Sequence, residues 1–196
     1  NGAWITADGE GTLYLSAHFY NTGGMRDPVR SSREFMRSYG VAILKSTDDG
    51  QTWRRLDDTP VALPALYHPD LAVPPLNADI RNSGVVCDSR KGVWALTGDC
   101  TGVTRTLLLN QWTSRGWVSR DLSAHLPADW CSTDAALTLD TKDRLHVVCT
   151  CIPEAHRQER LWGNRFLEIF HLRIDSATGH CDTTPVTPPD PTLANW

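Results

Sequence analysis

The feature that most constrains this chain is one layout that occurs three times, in residues 3–17, 84–97 and 135–148. In each copy a short segment that alternates apolar and polar residues is followed by a polar turn and a second alternating segment. A period of two is the mark of a β-strand, so each copy predicts a β-hairpin. An aspartate opens each turn, where its short side chain can accept hydrogen bonds from the following N–H groups. These aspartates are Asp8, Asp88 and Asp140.

A second predicted hairpin follows each copy, and the two hairpins together make four antiparallel strands. The second hairpins occupy residues 39–56, 106–118 (turn at 110–116) and 166–179 (turn at 175–179). Four antiparallel strands are typical of one blade of a propeller. We therefore predict an all-β fold, a β-propeller of about three four-stranded blades, and a single propeller portion over 1–196. The expected blade units are 3–57, 83–120 and 133–184, with the start of a next unit at 192–196.

Three irregular stretches separate these strands, at 21–38, 58–82 and 152–165. The second contains five prolines, from Pro60 to Pro75, and can form neither a helix nor a central strand. Helix is expected only as short turns, at 33–38 and 121–130. A sandwich or a barrel is the alternative for strands at this spacing, and the repeated four-strand unit favours the propeller.

Charge and hydropathy exclude two classes of partner. The 196 residues carry 19 Lys and Arg against 23 Asp and Glu, a net charge of −4, so the basic surface of a nucleic-acid-binding protein is lacking. No apolar run approaches the ~20 residues of a membrane helix. We expect neither nucleic acid nor a membrane as a partner. The chain starts at Asn1 without a leader and is expected to be a piece of something longer, or a processed chain.

Six cysteines leave the redox state open. Cys149 and Cys151 lie two apart in a predicted strand and therefore point to the same face. Free core thiols, one or two disulfides, and a metal site are all compatible with the sequence. A zinc site would draw on Cys149, Cys151, His146, His180 and Cys181, but no spacing matches a standard zinc finger. No cofactor is predicted, and a structural metal ion is left open.

The tip of the first unit's second hairpin carries a specific motif, Ser-Thr-Asp-Asp-Gly-Gln-Thr-Trp, at 46–53. It resembles the Asp-box, or BNR repeat, of sialidase-like propellers, and the later units carry degenerate versions at 110–117 and 175–179. In such propellers the box lies at the outer edge of a blade, away from the ligand face, which implies a structural role. Its serine and aspartate would bond the turn, its glycine would take a conformation other residues resist, and its tryptophan would insert between strands. The signature residues are Ser46, Asp48, Gly50, Thr52 and Trp53.

The resemblance extends over residues 1–184. The order of the box, the segment 60–64, the segment 82–88 and a strand pair ending at Trp117 is similar to the BNR-4 branch of propellers. That branch includes polysaccharide lyases acting on uronate-containing glycans, among them ulvan lyases. The resemblance implies an acidic polysaccharide or oligosaccharide as partner. It also implies more blades than this, so that a missing segment or self-association would complete the ring. We expect a secreted or periplasmic location.

The ligand site implied by the resemblance follows the second strand of the first unit, where the family has a His and an Asn. Here His18 stands two places earlier, Tyr20 occupies the position of the family His, and Asn21 matches the Asn. Cleavage by β-elimination needs a base beside the uronate carboxylate and groups that bind the developing charge. His18 and Tyr20 are the candidate catalytic residues. Guanidinium and amide groups suit a sugar carboxylate. The candidate substrate-binding residues are Asn21, Arg26, Arg30, Arg33, Arg37, Asn82 and His68.

Each of these assignments has a structural alternative. His18 and Tyr20 can be ordinary channel-facing polar residues, the arginine-rich stretch 26–37 a solvated loop, and His68 an exposed loop residue. Enzymatic activity therefore stays open between a lyase and a glycoside hydrolase. The first alternative function is a non-catalytic propeller that binds carbohydrate or protein. The second is a sialidase-like hydrolase, although no Arg-Ile-Pro motif precedes the box and no matched Tyr–Glu pair is found.

Overall fold

The computed structural model describes residues 3–20, 38–65, 68–74, 80–99, 106–156 and 166–187. These residues form three antiparallel sheets, each in chain order. The first contains β1 (Trp4–Ala7), β2 (Leu13–Tyr20), β3 (Ser38–Ser46), β4 (Trp53–Arg54) and β5 (Pro60–Val61). The second contains β6 (Ile80–Cys87), β7 (Val93–Asp99), β8 (Thr106–Thr113) and β9 (Gly116–Asp121). The third contains β10 (Trp130–Leu139), β11 (Arg144–Pro153), β12 (Glu168–Asp175) and β13 (Cys181–Pro185).

The three sheets are arranged as propeller blades. The first strand of each sheet lies beside the first strand of the next, so β6 contacts both β1 and β10. One apolar cluster lies between the first two sheets and a larger one between the second and the third. The predicted all-β propeller fold is confirmed. The division into blade units stays a prediction, and the expected unit at 192–196 lies outside the described residues.

Burial alternates along the strand β12 and shows which face of the third sheet is packed. In β12, Phe170, Leu172 and Ile174 are buried against the second sheet, whereas Ile169 and His171 point to the opposite face. Burying a side chain of this size contributes about 1.5–3 kcal/mol. The period-two pattern therefore identifies the packed face of the third sheet, whereas β6 and β7 of the second sheet are buried on both faces.

The turns of the first hairpins repeat one set of hydrogen bonds. Asp8 Oδ1 accepts from the N–H groups of Glu10 and Thr12, both at 2.9 Å. Asp88 Oδ1 accepts from the N–H groups two and four residues later at 3.0 and 2.7 Å, and Asp140 Oδ1 does so at 2.9 and 3.0 Å. The predicted role of these aspartates is confirmed. We call residues 8–12, 88–92 and 140–144 the turn end.

In each sheet, the residue six positions after the turn aspartate has a ring, and that ring interacts with the carboxylate of the aspartate. Trp94 Nε1 donates to Asp88 Oδ2 at 3.0 Å, and His146 Nε2 lies 3.2 Å from Asp140 Oδ2. Tyr14 has the equivalent position in the first sheet, where burial, and then Cys87 and Asp8, raise the pKa of its phenol. The repeat therefore includes a polar ring that the sequence analysis did not identify.

At the turn end, ion pairs and hydrogen bonds connect each sheet to the next. Lys91 Nζ lies 3.0 Å from Asp8 Oδ2 and 2.9 Å from Glu10 Oε2. The N–H of Ser89 donates to Asp143 Oδ1 at 2.9 Å. The opposite ends of the same strands, residues 18–20 of β2, 80–83 of β6 and 130–134 of β10, form what we call the far end.

The turn predicted at 110–116 is too long. β8 continues to Thr113 and β9 begins at Gly116, so the turn contains only residues 114–115. Asn110, interpreted as a turn residue, is fully buried, and its Nδ2 donates to Thr97 Oγ1 at 3.0 Å while its Oδ1 accepts from Ser119 Oγ. Hydrogen bonds to neighbouring strands override the loop preference of asparagine here.

The proline-rich stretch 58–82 is not irregular throughout. It contains the edge strand β5, a 3₁₀-helix at Pro69–Leu71 and the start of β6 at Ile80. Pro60 fits an edge position, where no N–H is needed. Further 3₁₀-helices lie at Ser123–His125, within the predicted 121–130, and at Glu154–His156. Residues 33–37 of the other predicted turn lie outside the described residues, and no helix in the described part of the chain is long and apolar enough to cross a bilayer.

Candidate functional site

The far end brings two of the predicted site residues into contact. His18 lies near the end of β2, and Asn82 lies within β6 of the next sheet. The backbone N–H of Asn82 donates to His18 Nε2 at 2.6 Å. The sequence placed Asn82 just before a strand, and the structure corrects this by placing it inside one.

A β-bulge in β6 aims this N–H at His18. The register between β6 and β7 shifts between Asn82 and Gly84, so the residue between them has no partner in β7. Asn82 Nδ2 donates to the carbonyl oxygen of Ser16 at 3.3 Å, and Asn82 Oδ1 accepts from the N–H of Gly84 at 3.4 Å. The side chain of Asn82 therefore ties the bulge to the backbone of β2.

The bulge requires glycine at position 84. Gly84 has a φ of +137°, and a Cβ there would lie 3.1 Å from the Cβ of Leu137 in the third sheet. A larger residue would push β6 away from β10 and change the position of Asn82. The site geometry thus depends on packing from both neighbouring sheets.

The hydrogen bond determines the protonation of His18. A backbone N–H can only donate, so Nε2 is an acceptor and the proton of the neutral ring is on Nδ1. Asn82 is almost fully buried, with 9% of its surface exposed. Beside them the hydroxyl oxygen of Ser16 is buried and has no hydrogen-bond partner in the described ranges. Nε2 of His18 therefore cannot take up a proton without losing the hydrogen bond from Asn82.

The third sheet adds polar groups that sequence reasoning missed. β10 has its own bulge between Ser132 and Asp134. Glu168, at the start of β12, is buried and accepts a hydrogen bond from Thr187 Oγ1. An acidic residue at an apolar position of a predicted strand was a signal for Glu168. The bulge has no local signal, because it depends on pairing with β11.

His68 is not brought to this pair. Its Nδ1 accepts from the N–H of Asp70 at 3.2 Å, and its side chain is 65% exposed. It lines a cleft of about 280 Å³ at the outer edge of the first sheet, and neither His18 nor Asn82 is among the lining residues. The lining residues are Arg55, Thr59, Pro60, Val61, Ala62, His68, Asp70 and Leu71.

The remaining candidates are Tyr20 and the residues that follow it in the sequence. Tyr20 ends β2 with its backbone opposite Ser38, and nothing is described of its side chain. The other predicted residues of the segment after β2 lie outside the described residues, and their roles stay predictions. They are Asn21, Arg26, Arg30, Arg33 and Arg37.

The turn at 46–53 is closed by its own side chains. Asp48 Oδ1 accepts from the N–H of Thr52 at 2.9 Å and from Ser46 Oγ at 2.7 Å. Thr52, with its hydroxyl and its N–H, lowers the pKa of Asp48 to about 2. Gly50 has a φ of +83°, and its carbonyl oxygen accepts from Trp53 Nε1 at 3.1 Å. The turn joins β3 to β4 on the outer half of the sheet, and its assignment as an Asp-box stays a prediction.

The described cysteines are free thiols. Cys151 Sγ donates to Cys149 Sγ at 3.5 Å, and both side chains are buried. Of the candidate metal ligands, His146 instead contacts Asp140 and His171, with 2.8 Å between the ring nitrogens of the two histidines. Within the described part of the chain no three His, Cys, Asp or Glu side chains converge as metal ligands. The free cysteines are Cys87, Cys131, Cys149, Cys151 and Cys181.

Solved structures share this architecture. No family model matches the sequence, and no curated protein matches it. A protein of unknown function from Dyadobacter fermentans DSM 18053 has a TM-score of 0.57 and 12% identity, over 93% of this chain and 50% of that chain. An ulvan lyase of polysaccharide lyase family PL25 has a TM-score of 0.58 and 11% identity, over 94% and 42%. The same lyase bound to -[GlcA(1-4)Rha3S]- has a TM-score of 0.60.

The fold is what these proteins have in common. At 11–12% identity the similarity is one of fold alone. The chain spans half or less of the length of the solved structures it matches.

Proposed function

We propose that this chain is part of a carbohydrate-active propeller of the Asp-box, BNR-4-like group that cleaves an acidic polysaccharide by β-elimination. The observation that carries the proposal is the contact between His18 and Asn82, two candidates from separate sheets joined at 2.6 Å at the far end. The similarity in fold to an ulvan lyase supports the substrate class. A secreted or periplasmic location belongs to the same proposal.

β-Elimination requires groups that move protons and groups that bind the uronate carboxylate. The carbon bearing the uronate carboxylate loses a proton, a double bond forms to the neighbouring ring carbon, and the bond from that carbon to the glycosidic oxygen breaks. The departing oxygen takes up a proton. His18 and Tyr20 are the candidates for handling these protons and the developing charge. The carboxylate would be held by Asn21 and the arginines at positions 26, 30, 33 and 37.

The test is incubation with uronate-rich polysaccharides while the ultraviolet absorbance of the unsaturated product is followed. The absorbance should rise with the natural chain. His18→Gln keeps an acceptor for the N–H of Asn82 but cannot act as an imidazole, so its rate should fall at least about 100-fold. His180→Gln, at an exposed histidine of the third sheet, should keep the full rate. Equal rates for the two variants would remove His18 from the mechanism.

A non-catalytic carbohydrate-binding propeller is the second candidate. It is favoured by one observation, the use of His18 Nε2 in a contact between sheets rather than toward a ligand. Binding of a uronate oligosaccharide without any rise in absorbance would identify this function. No binding and no cleavage would exclude both.

A further inference from the structure

We propose that two copies of this chain associate head to tail, with the first sheet of each copy packed against the third sheet of the other. Two sets of three sheets would then close one ring around a two-fold axis. This association is independent of the proposed function, because it rests on positions that repeat in the three sheets.

The two interfaces within the chain have the same geometry. In each, the first strand of a sheet lies against the first and second strands of the sheet before it. Thus β6 contacts β1 and β2, and β10 contacts β6 and β7. An interface of the same kind between two copies would place β1 of one copy against β10 and β11 of the other.

The first sheet exposes an apolar position that the other two sheets bury. Ile5, Val85 and Leu137 each lie three residues before the turn aspartate, on the face turned toward the preceding sheet. Val85 and Leu137 are 4% and 8% exposed, whereas Ile5 is 61% exposed. Leu13 and Leu15, on the same face of the first sheet, are only half-buried. This face therefore has the apolar residues of an interface, but within the described residues no sheet precedes it.

The third sheet exposes a position on the opposite face. Ser16, Leu96 and Val148 each lie eight residues after the turn aspartate, on the face turned toward the following sheet. Ser16 and Leu96 are fully buried, whereas Val148 is 45% exposed. The repeat thus gives the third sheet a face for a following sheet, and among the described residues no further sheet covers it.

The polar side chains around Val148 are compatible with such a contact, because they bond to one another. His146 Nδ1 lies 2.8 Å from His171 Nε2. Arg173 Nη2 lies 2.6 Å from Asp182 Oδ2. Polar groups that already have partners can be covered at a lower cost than unpaired ones.

A second copy supplies the matching face for each exposed face. The chain spans 50% and 42% of two solved structures that share its fold, so two copies have about the length of one such structure. A head-to-tail pair covers the exposed face of the first sheet and that of the third sheet in both copies. A contact of one face with itself would leave the other face exposed to solvent.

Sedimentation equilibrium of the natural chain tests the association. At about 10 µM the chain should sediment with twice the mass of one copy. Ile5→Lys and Val148→Glu each place a charge on one of the two faces, and each should raise the dissociation constant at least about 100-fold. Val118→Glu changes a valine on β9 of the second sheet that is 55% exposed, and it should leave the dissociation constant unchanged.

A mixture of the two interface variants tests the head-to-tail pairing. In the mixed dimer one contact is natural, and the other brings the introduced lysine and the introduced glutamate to the same interface. The mixture should therefore associate more tightly than either variant alone. A mixture that associates no more tightly would overturn the pairing.

The other outcomes are equally decisive. A natural chain that is a monomer at about 100 µM, or that forms larger oligomers in place of a dimer, would overturn the proposal. So would a dimer that only one of the two interface substitutions weakens, or neither. Circular dichroism checks that each variant is folded. If one variant does not fold, the mass of the natural chain and the dissociation constant of the other variant decide the result.

Discussion

At the turn end every sheet repeats the same carboxylate-capped turn, whereas at the far end each sheet presents a different set of polar groups. Asp8, Asp88 and Asp140 bond the backbone of their own turns. His18 and Asn82 bond each other across two sheets. Side chains that accept hydrogen bonds from the N–H groups of a turn recur because each of the three sheets contains that turn. The groups at the far end differ between sheets, which is where a site can be specific.

Two carboxylates of the turn end are held in the charged form by their hydrogen bonds. Burial alone would raise the pKa of Asp8, but hydrogen bonds from Lys91 and from the turn N–H groups outweigh it and lower that pKa. The N–H and the guanidinium of Arg144 lower the pKa of Asp140. Carboxylates held in the charged form in this way are poor proton acceptors at neutral pH. Acid–base chemistry is therefore not expected at the turn end.

The largest effect should come from removing the buried turn carboxylate. Asp88→Ala leaves the N–H groups of Arg90 and Gly92 and the indole N–H of Trp94 without their acceptor. We expect a loss of about 3 kcal/mol in the free energy of unfolding, measured with urea. Asp88→Asn should lose less, because one oxygen remains.

Asp129→Asn is the control for this change in charge. Asp129 is exposed and has a φ of +65°, which asparagine tolerates. Its effect should stay within about 0.5 kcal/mol. If Asp88→Asn were no more destabilising than Asp129→Asn, the turn end would not have the structural role assigned to it.

A smaller loss is expected from crowding the same turn. A Cβ at Gly92 would lie 2.5 Å from Asp88 Oδ2, so Gly92→Ala must displace the carboxylate and should cost about 2 kcal/mol. Among the described residues, a Cβ at Gly98 would meet the Cβ of Arg81 at 3.9 Å, an ordinary contact, which makes Gly98→Ala the matched variant. Equal urea midpoints for the two variants would contradict the prediction.

The contact between His18 and Asn82 at the far end should contribute less to the free energy of unfolding than Asp88 does at the turn end. His18→Ala leaves the N–H of Asn82 without its acceptor and should cost about 1 kcal/mol. His18→Gln, which restores an acceptor, should recover most of this loss in the same urea experiment. A loss for His18→Ala as large as that of Asp88→Ala would make the far end as structural as the turn end.

The smallest predicted effect is a pH dependence of the free energy of unfolding, caused by His171 in the third sheet. Burial, and then His146 and Arg173, lower the pKa of His171 below its ordinary 6.5. Its contribution to stability is therefore present above pH 6.5 and lost as the pH falls through the lower folded value. His171→Gln should flatten the change in urea midpoint between neutral and mildly acidic pH. His180→Gln should keep the natural slope, and equal slopes for all three proteins would contradict this assignment.

Local features could be predicted from the sequence, and features that depend on pairing could not. The alternation and the turn role of Asp88 are properties of a few consecutive residues, and both predictions are confirmed. The bulge that places Asn82 inside β6 depends on the register with β7. Asn110 looked like a turn residue because its bonds to Thr97 and Ser119 depend on how β8 pairs with the strands on either side.

The candidate site was predicted in part. His18 and Asn82 were named for a resemblance in sequence, and the structure brings them together. His68 was named for its residue type alone, and it lies in a separate cleft. Glu168 was missed because it occupies a position in β12 that the pattern assigned to the apolar face.

Amide NMR shifts can locate an acidic sugar on this chain and so test the proposal that it binds at the far end. A uronate-containing oligosaccharide is titrated into the ¹⁵N-labelled chain. We expect the amide signals of His18, Asn82 and Gly84 to shift together with increasing oligosaccharide while those of 8–12, 88–92 and 140–144 stay in place. Shifts confined to the turn end, or to the cleft beside His68, would contradict it.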